Sequence, residues 1–357
     1  MRGVKLIAGR NPAQDPVEGQ DLDRQDLPRN EQGRALIGDP RNDENIIIGQ
    51  LHLAFIKLHD RVVDRVQADK DLSGSALFEE ARRLVTWHYQ WVVVHDFLRR
   101  VAGDAVVDDI LKNPDAPTGP TVDLKFFSWQ ERPFMPVEFS AAAYRFGHSM
   151  IRPTYDLNEI VADVPIFSGK ARPGNLEHLG GFRRLPAEWT IDWSHFVKLG
   201  RRSPQRSRKI NVRLAQPLFK LPKSIDGGRN PLAVLNLRRG KALQLPSGQS
   251  VATAIGETPL TSAQLQLGGL NLKPDHKAVL EQDTPLWFYV LKEAAVKSGG
   301  ERLGPVGARI VAEVLIGLLK GDPQSSLNME PTWKPGGIPA AQAGKFTLSD
   351  LLKFATK

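Results

Sequence analysis

The spacing of apolar residues constrains this chain more than any other feature. From Asn45 onward, Ile47, Leu51, Phe55, Leu58 and Val62 recur at three- and four-residue steps, the rhythm of one helix face. A second run, from Ser75 to Val101, places Leu77, Ala81, Leu84, Trp87, Trp91, Val94 and Leu98 in the same rhythm. A third, from Val306 to Lys320, carries Ile310, Val311, Val314, Leu315 and Leu318. Few segments alternate with the period of two that a half-buried strand requires. The pattern predicts a mostly α protein, a single large helical domain with long loops and little β. With 357 residues, 41% of them hydrophobic, there is ample apolar surface for such a core.

Shorter helices are predicted from about Glu138 to Ile151, Asn230 to Arg239, Thr261 to Gln266, Pro285 to Lys297 and Ser349 to Ala355. The first stops at Arg152-Pro153, because proline cannot continue a helix. Asn42, Asp43 and Glu44 place acceptors and negative charge where the helix that follows Asn45 exposes unpaired amides. Pro114 to Pro120, Gly169 to Glu188 and Asp322 to Gly337 read as loops, and Phe126 to Phe134 as an irregular or short extended piece. Met1 to Arg34 is rich in Pro, Asp, Gly and Arg and has no periodicity. It reads as an irregular arm (1–34) on the surface of a helical domain (35–357).

Composition excludes several classes of function. There is no cysteine, so disulfides, thiolate catalysis and zinc–thiolate sites are ruled out. No apolar run is long enough to span a bilayer, and the start lacks the apolar core of a secretion signal. The net charge is +8, much of it in Arg201-Arg202-Ser203-Pro204-Gln205-Arg206-Ser207-Arg208-Lys209. Such a loop could hold an anionic surface, but no aromatic residues interleave with the charges for base stacking. A solvated loop is the expected reading, with no nucleic-acid partner. His88 and His95 lie seven residues apart on one helix face without a visible third ligand, and are expected to be structural or surface groups.

The most informative stretch for function is Tyr144-Arg145-Phe146-Gly147-His148. A histidine on an apolar, helix-compatible run is most simply a core residue. It can also supply a neutral imidazole to haem iron, with an arginine one turn upstream to meet a propionate. Two further segments bear on that choice. One is Gly38-Asp39-Pro40-Arg41-Asn42-Asp43-Glu44-Asn45, leading into Ile46 to Phe55. The other is Leu232-Ala233-Val234-Leu235-Asn236-Leu237-Arg238-Arg239-Gly240. With all three in this order, the chain resembles the animal-type haem peroxidases, the superfamily of myeloperoxidase, peroxinectin and the cyclooxygenases. It looks most like the bacterial members, over about residues 30 to 320.

The resemblance implies a set of roles. His148 matches the axial iron ligand, and Asn236 the amide that holds its other ring nitrogen. Arg41 matches the distal arginine, and Glu44 the glutamate that forms an ester with a haem methyl in many members. Arg145 and Arg239 match the propionate partners, with Arg238 expected to face solvent. The implied cofactor is haem b, ester-linked at most through Glu44. Asn45 stands where some members carry a methionine that forms a sulfonium link, so no such link is expected. The implied reaction is reduction of hydrogen peroxide with oxidation of small donors such as phenols or halides.

One part of the family pattern is missing. Members carry, upstream of the arginine motif, an aspartate–histidine pair followed by a calcium loop. No histidine precedes Arg41 in this chain, and Met1-Arg2-Gly3-Val4-Lys5-Leu6 reads as family sequence entered midway. The expectation is an N-terminally incomplete domain without the family's calcium site, whose missing part belongs to a truncated gene or a separate N-terminal segment or chain. Loss of positioned acid–base help typically costs ~100- to 10,000-fold in rate, so the activity of this form is doubtful. His52 and His59, nearest in sequence to Arg41, are expected to be structural. A second reading is a non-catalytic or partner-dependent haem-binding remnant. A third is a fatty-acid dioxygenase. It is disfavoured because those enzymes carry a radical-forming tyrosine three residues before the ligand, where this chain has Arg145. Members are commonly secreted; the compartment is left open.

Overall fold

The computed structural model describes residues 3–9, 25–167, 177–223, 231–267, 271–342 and 344–356. Helices dominate, as the apolar spacing predicts. In chain order the longer ones used below are α1 (Ile46–Asp69), α2 (Gly74–Trp91), α3 (Asp104–Ile110), α4 (Leu232–Ala242), α5 (Leu286–Ser298), α6 (Pro305–Gly321) and α7 (Leu348–Thr356). Strand structure among the described residues is limited to two antiparallel two-residue pairs. Leu111–Lys112 pairs with Thr121–Val122, and Thr154–Tyr155 with Val164–Pro165. No described helix is long and apolar enough to cross a membrane.

The chain divides into two compact units. Unit 1 comprises Met1–Trp91, Pro153–Arg206 and Pro335–Lys357; unit 2 comprises Val92–Arg152 and Ser207–Lys334.

In unit 1, α1 packs against α2 and α7. The side chain of Asn45 accepts a hydrogen bond from Ile47 N at 3.0 Å and so caps α1, satisfying one of its open amides. The buried face of α1 is set one step away from the expected stripe. Ile46, Gly49, Leu53, Ile56, Val63 and Val66 are buried together with Leu58 and Val62, whereas Ile47, Leu51 and Phe55 are half-buried. The cause lies outside the helix: Leu27 packs on Leu53 and Ile56, joined by Leu6, Ala8, Ala35 and Ile37. The irregular N-terminal stretch therefore contributes core as well as surface, with Leu27 1% and Val4 6% exposed.

In unit 2, α5 and α6 pack against one another and against the segment that carries His148, α4 packs on α5, and α3 packs on α6. Two buried glutamates organise this unit. Glu293 accepts from Val306 N at 2.9 Å and caps the start of α6, where no residue of the Gly304-Pro305 entry offers a side-chain acceptor. Glu313 accepts from Phe126 N and Phe127 N at 2.8 and 3.0 Å and pins that irregular stretch to α6. The approach needs a glycine, since a Cβ on Gly317 would sit 2.3 Å from the Phe127 ring.

Two predicted helices differ in kind. The run predicted from Ser75 to Val101 is α-helical to Trp91, π-helical over Val92–Leu98 and α-helical again over Arg99–Val101. The stretch predicted as one helix from Glu138 to Ile151 is a π turn, Glu138–Ala142, followed by a 3-10 helix, Ala143–Met150. The apolar pattern marks a buried helical face and says little about winding. Here the buried residues Ala143, Phe146 and Ser149 fall every third position, which is the 3-10 repeat.

Candidate functional site

His148 lies on that 3-10 helix, in which residues three apart are nearly eclipsed. Arg145 and His148 therefore project in line, while Tyr144 is turned about a third of a revolution away. Tyr144 is instead stacked on Phe139, with ring centroids 4.6 Å apart. The segment is held from outside by Trp287 of α5, whose Nε1–H donates to Arg145 O at 3.3 Å.

α4 supplies the other half of the cluster. Asn236 is its one buried residue, 1% exposed, and its amide nitrogen lies 3.0 Å from His148 Nδ1. A half-turn of the amide interchanges Oδ1 and Nδ2 within the same volume, so the contact can serve either imidazole tautomer. Arg239, three residues on, shares the Asn236 face of α4. Burial, then Arg145, then Arg239 together lower the His148 pKa to about 4, so the imidazole is neutral near pH 7. Arg145 itself is lowered by burial and by Arg239. Its Nε donates to Ser140 O at 3.0 Å, and among the described residues neither Arg145 nor Arg239 has a carboxylate partner. Two guanidinium groups near one imidazole, with no carboxylate partner among the described residues, form a place where an added anion is favoured. Arg239 and Arg238 are both exposed, so burial does not separate them.

Arg41 and Glu44 belong to unit 1. Arg41 sits in a 3-10 turn, Pro40–Asp43, capped by Asp39. Its guanidinium bonds the Asp39 carboxylate at 2.6 Å and its side chain is 83% exposed. That bond holds Asp39 down at a pKa of about 2. Glu44 is exposed, and its backbone carbonyl accepts from Gly181 N at 2.9 Å. The acceptors Asn42 and Asp43 do not cap α1 as expected: Asn42 lies 3.1 Å from His52 Nδ1, and Asp43 faces Arg29. His52 is lowered by burial, and His59 is buried beside Asp60, as structural groups would be.

Sequence reasoning missed the residues that fix this turn. Arg29 donates to Asp43 through Nη1 and Nη2 at 2.7 Å each, and to Asp26 through Nε at 2.9 Å. Asp26 also accepts from Leu27 N and from Leu185 N. Phe182 N donates to Asp43 O, and a Cβ on Gly181 would come within 1.7 Å of that oxygen. Three stretches distant in sequence are thus joined behind Arg41, and no local motif announces it.

Comparison with known proteins defines the class. A family model described as "Animal haem peroxidase" matches residues 8–264. The chain belongs to the animal haem peroxidase family. Peroxidasin of Drosophila melanogaster is 23% identical over 326 residues, covering 86% of this chain and 19% of peroxidasin. Peroxidase A from Dictyostelium discoideum has a similar fold, with a TM-score of 0.57, 14% identity, and coverage of 98% of this chain and 62% of that one. The fatty acid alpha-dioxygenase of Oryza sativa gives a TM-score of 0.55 at 17% identity, covering 99% and 59%. The chain spans about a fifth of the curated relative and about three fifths of each structure.

The family implies haem, and the unit 2 cluster fits that group. It offers one neutral imidazole, an amide to orient it, and two cations with no carboxylate partner among the described residues.

Proposed function

We propose that this chain binds haem b through His148 and uses hydrogen peroxide to oxidise small donors such as phenols or halides. The observation that carries the reading is the contact of the Asn236 amide with His148 Nδ1, beside two guanidinium groups that have no carboxylate partner among the described residues. Haem supplies iron that can bind peroxide and accept its oxidising equivalents. Asn236 would accept the Nδ1 proton of His148 through Oδ1, leaving the Nε2 lone pair for the metal. Being neutral, it would leave the imidazole less electron-rich than an aspartate would. Arg145 and Arg239 would bind the propionates. Arg41, whose fork is held by Asp39, would offer fixed positive charge to peroxide oxygens. Glu44 would be the carboxylate for an ester to the haem.

A second reading is haem binding without turnover by this chain alone, completed by a partner or a further segment. The 83% exposure of the Arg41 side chain and the tie of His52 to Asn42 favour it, since neither gives a sheltered proton carrier. A dioxygenase reading gains nothing from Tyr144, because Arg145 holds the position in line with His148. Haem reconstitution decides among these. The first reading expects a Soret band lost in His148→Ala, and peroxide-dependent donor oxidation that falls about 100-fold or more in Arg41→Gln with the band retained. A Soret band without donor oxidation supports the second reading. Failure to take up haem, or an unchanged band in His148→Ala, overturns both.

A further inference from the structure

Unit 1 contains a second chemistry-bearing cluster, outside the three motifs that carry the family resemblance. Asp192, His195 and Glu159 bring one imidazole nitrogen and two carboxylate oxygens within 4.8 Å of one another. We propose that this cluster is a binding site for a first-row divalent cation of the zinc, cobalt or manganese class. The site would tie the 156–161 loop to the 187–195 segment.

The histidine points to a ligand. His195 is 6% exposed, yet its Nε2 is buried without a hydrogen-bond partner. A buried ring nitrogen left unbonded is costly. This one faces the two carboxylates, 3.8 Å from Glu159 Oε1 and 4.0 Å from Asp192 Oδ2. Those separations are too long for hydrogen bonds and suit oxygens and a nitrogen gathered around a common ion. Bonds of about 2.0–2.2 Å to nitrogen and oxygen place neighbouring ligands roughly 3 to 3.5 Å apart. Only the carboxylates need to close the gap, and both are exposed enough to move, Glu159 at 68% and Asp192 at 46%.

The scaffold is already ordered for it. Asp192 caps the 3-10 turn Trp193–His195 with Oδ1, which accepts from Ser194 N at 2.8 Å, so Oδ2 remains for a cation. The spacing Asp192-x-x-His195 on such a turn puts both side chains on one edge. Asn158 fixes the neighbouring loop. Its Oδ1 accepts from Ile160 N and Val161 N, and its Nδ2 donates to Glu188 O and Thr190 O. Asp192 N donates to Leu157 O at 2.9 Å. Glu159 is thereby carried on a turn bonded to the strand of chain that leads to Asp192.

The mixed donor set selects the metal class. Calcium and magnesium prefer oxygen alone, whereas an imidazole with carboxylates suits zinc, cobalt and manganese. Three protein ligands on one side leave the exposed side to water. Arg202 pairs with Glu159 and competes with an incoming cation, so the site is expected to be regulated by that pair rather than permanently filled.

Titration of the full-length, haem-free chain with cobalt(II) tests the assignment through the visible bands of the bound ion. The expected result is saturation at one equivalent, displacement by zinc, and no competition from equal calcium or magnesium. His195→Gln and Glu159→Gln should each weaken binding by about 10-fold or more. Glu159 is a surface side chain, so its substitution reports on binding and not on folding. His148→Ala should bind cobalt as the parent does, which separates this site from the proposed haem ligand. No saturable spectrum, binding unchanged in both Gln variants, or binding lost in His148→Ala would each overturn the proposal.

Discussion

Replacing Arg29 by methionine should destabilise unit 1 by about 3–5 kcal/mol at pH 7, the range for breaking a buried ion pair from one side. The side chains of Arg29, Asp26 and Asp43 are 5%, 3% and 5% exposed. Methionine keeps the apolar stem but leaves two carboxylates facing each other out of water. Burial opposes the Arg29 charge, and the hydrogen bonds to Asp43 and Asp26 outweigh it, so the guanidinium titrates above its ordinary range. Arg29→Lys should fall between, because a single ammonium cannot serve both carboxylates and the Gly33 carbonyl, which Nη1 reaches at 3.0 Å. Urea unfolding of the variants, compared at equal slope, gives the magnitudes. One control makes the reasoning specific. The triple variant Arg29→Met/Asp26→Asn/Asp43→Asn should recover part of the loss, since removing a whole buried network costs less than removing one member. A penalty under about 1 kcal/mol, or a triple variant less stable than the single, would refute the argument that this network is held by charge compensation.

Other expectations follow from the same geometry. Burial raises Glu293 from 4.5 to about 7 despite its bonds to Gly307 and Val306, so its ionised form is disfavoured in the folded chain. The penalty is absent below pH 4.5 and complete above pH 7; Glu293→Gln should therefore add up to about 3 kcal/mol of stability at pH 8 and nearly nothing at pH 4.5, as urea titrations at both pH values would show. Asn236→Asp should make the His148 imidazole more electron-rich and lower the reduction potential of bound haem, measured by a redox titration; an unchanged potential would remove Asn236 from the ligand's surroundings. Arg145→Gln should weaken haem retention without abolishing the Soret band, read from the rate of haem transfer to apomyoglobin.

Much of the fold was legible because buried helix faces must repeat every three to four residues: α5, α6 and α7 lie within a residue or two of where that repeat puts them, and α1 starts where expected but runs on past Val62 to Asp69. What escaped is what other parts of the chain decide. The face that α1 buries is selected by Leu27, and the winding around His148 follows its packing on α5 and α6. The helices Asp104–Ile110, Gly248–Ala254 and Pro274–Gln282 were not expected, being too short or too polar to show a stripe. For the candidate site, the family resemblance carried Arg145, His148, Asn236 and Arg239, and in the structure Asn236 contacts His148 while both arginines act on its imidazole. Asp26/Arg29 and Asp192/His195 share a three-residue spacing too, but Asp43 and Glu159, which complete each group, come from separate stretches, so neither group stood out in the sequence. The loop expected at Gly169 to Glu188 and the start of the helix expected at Asn230 lie partly outside the described residues.

The tight winding around His148 works as a phase lock. An α-helix would set side chains three apart about 60° out of step, whereas three residues per turn leave them aligned. Gly147 lies between them, and a Cβ there would meet nothing within 4 Å. Gly147→Ala is therefore free of steric cost yet favours the wider coil by about 1 kcal/mol. If the alanine variant unwinds the lock, Arg145 swings aside while the imidazole keeps its amide, and the anion capture and metal ligation proposed for this segment come apart.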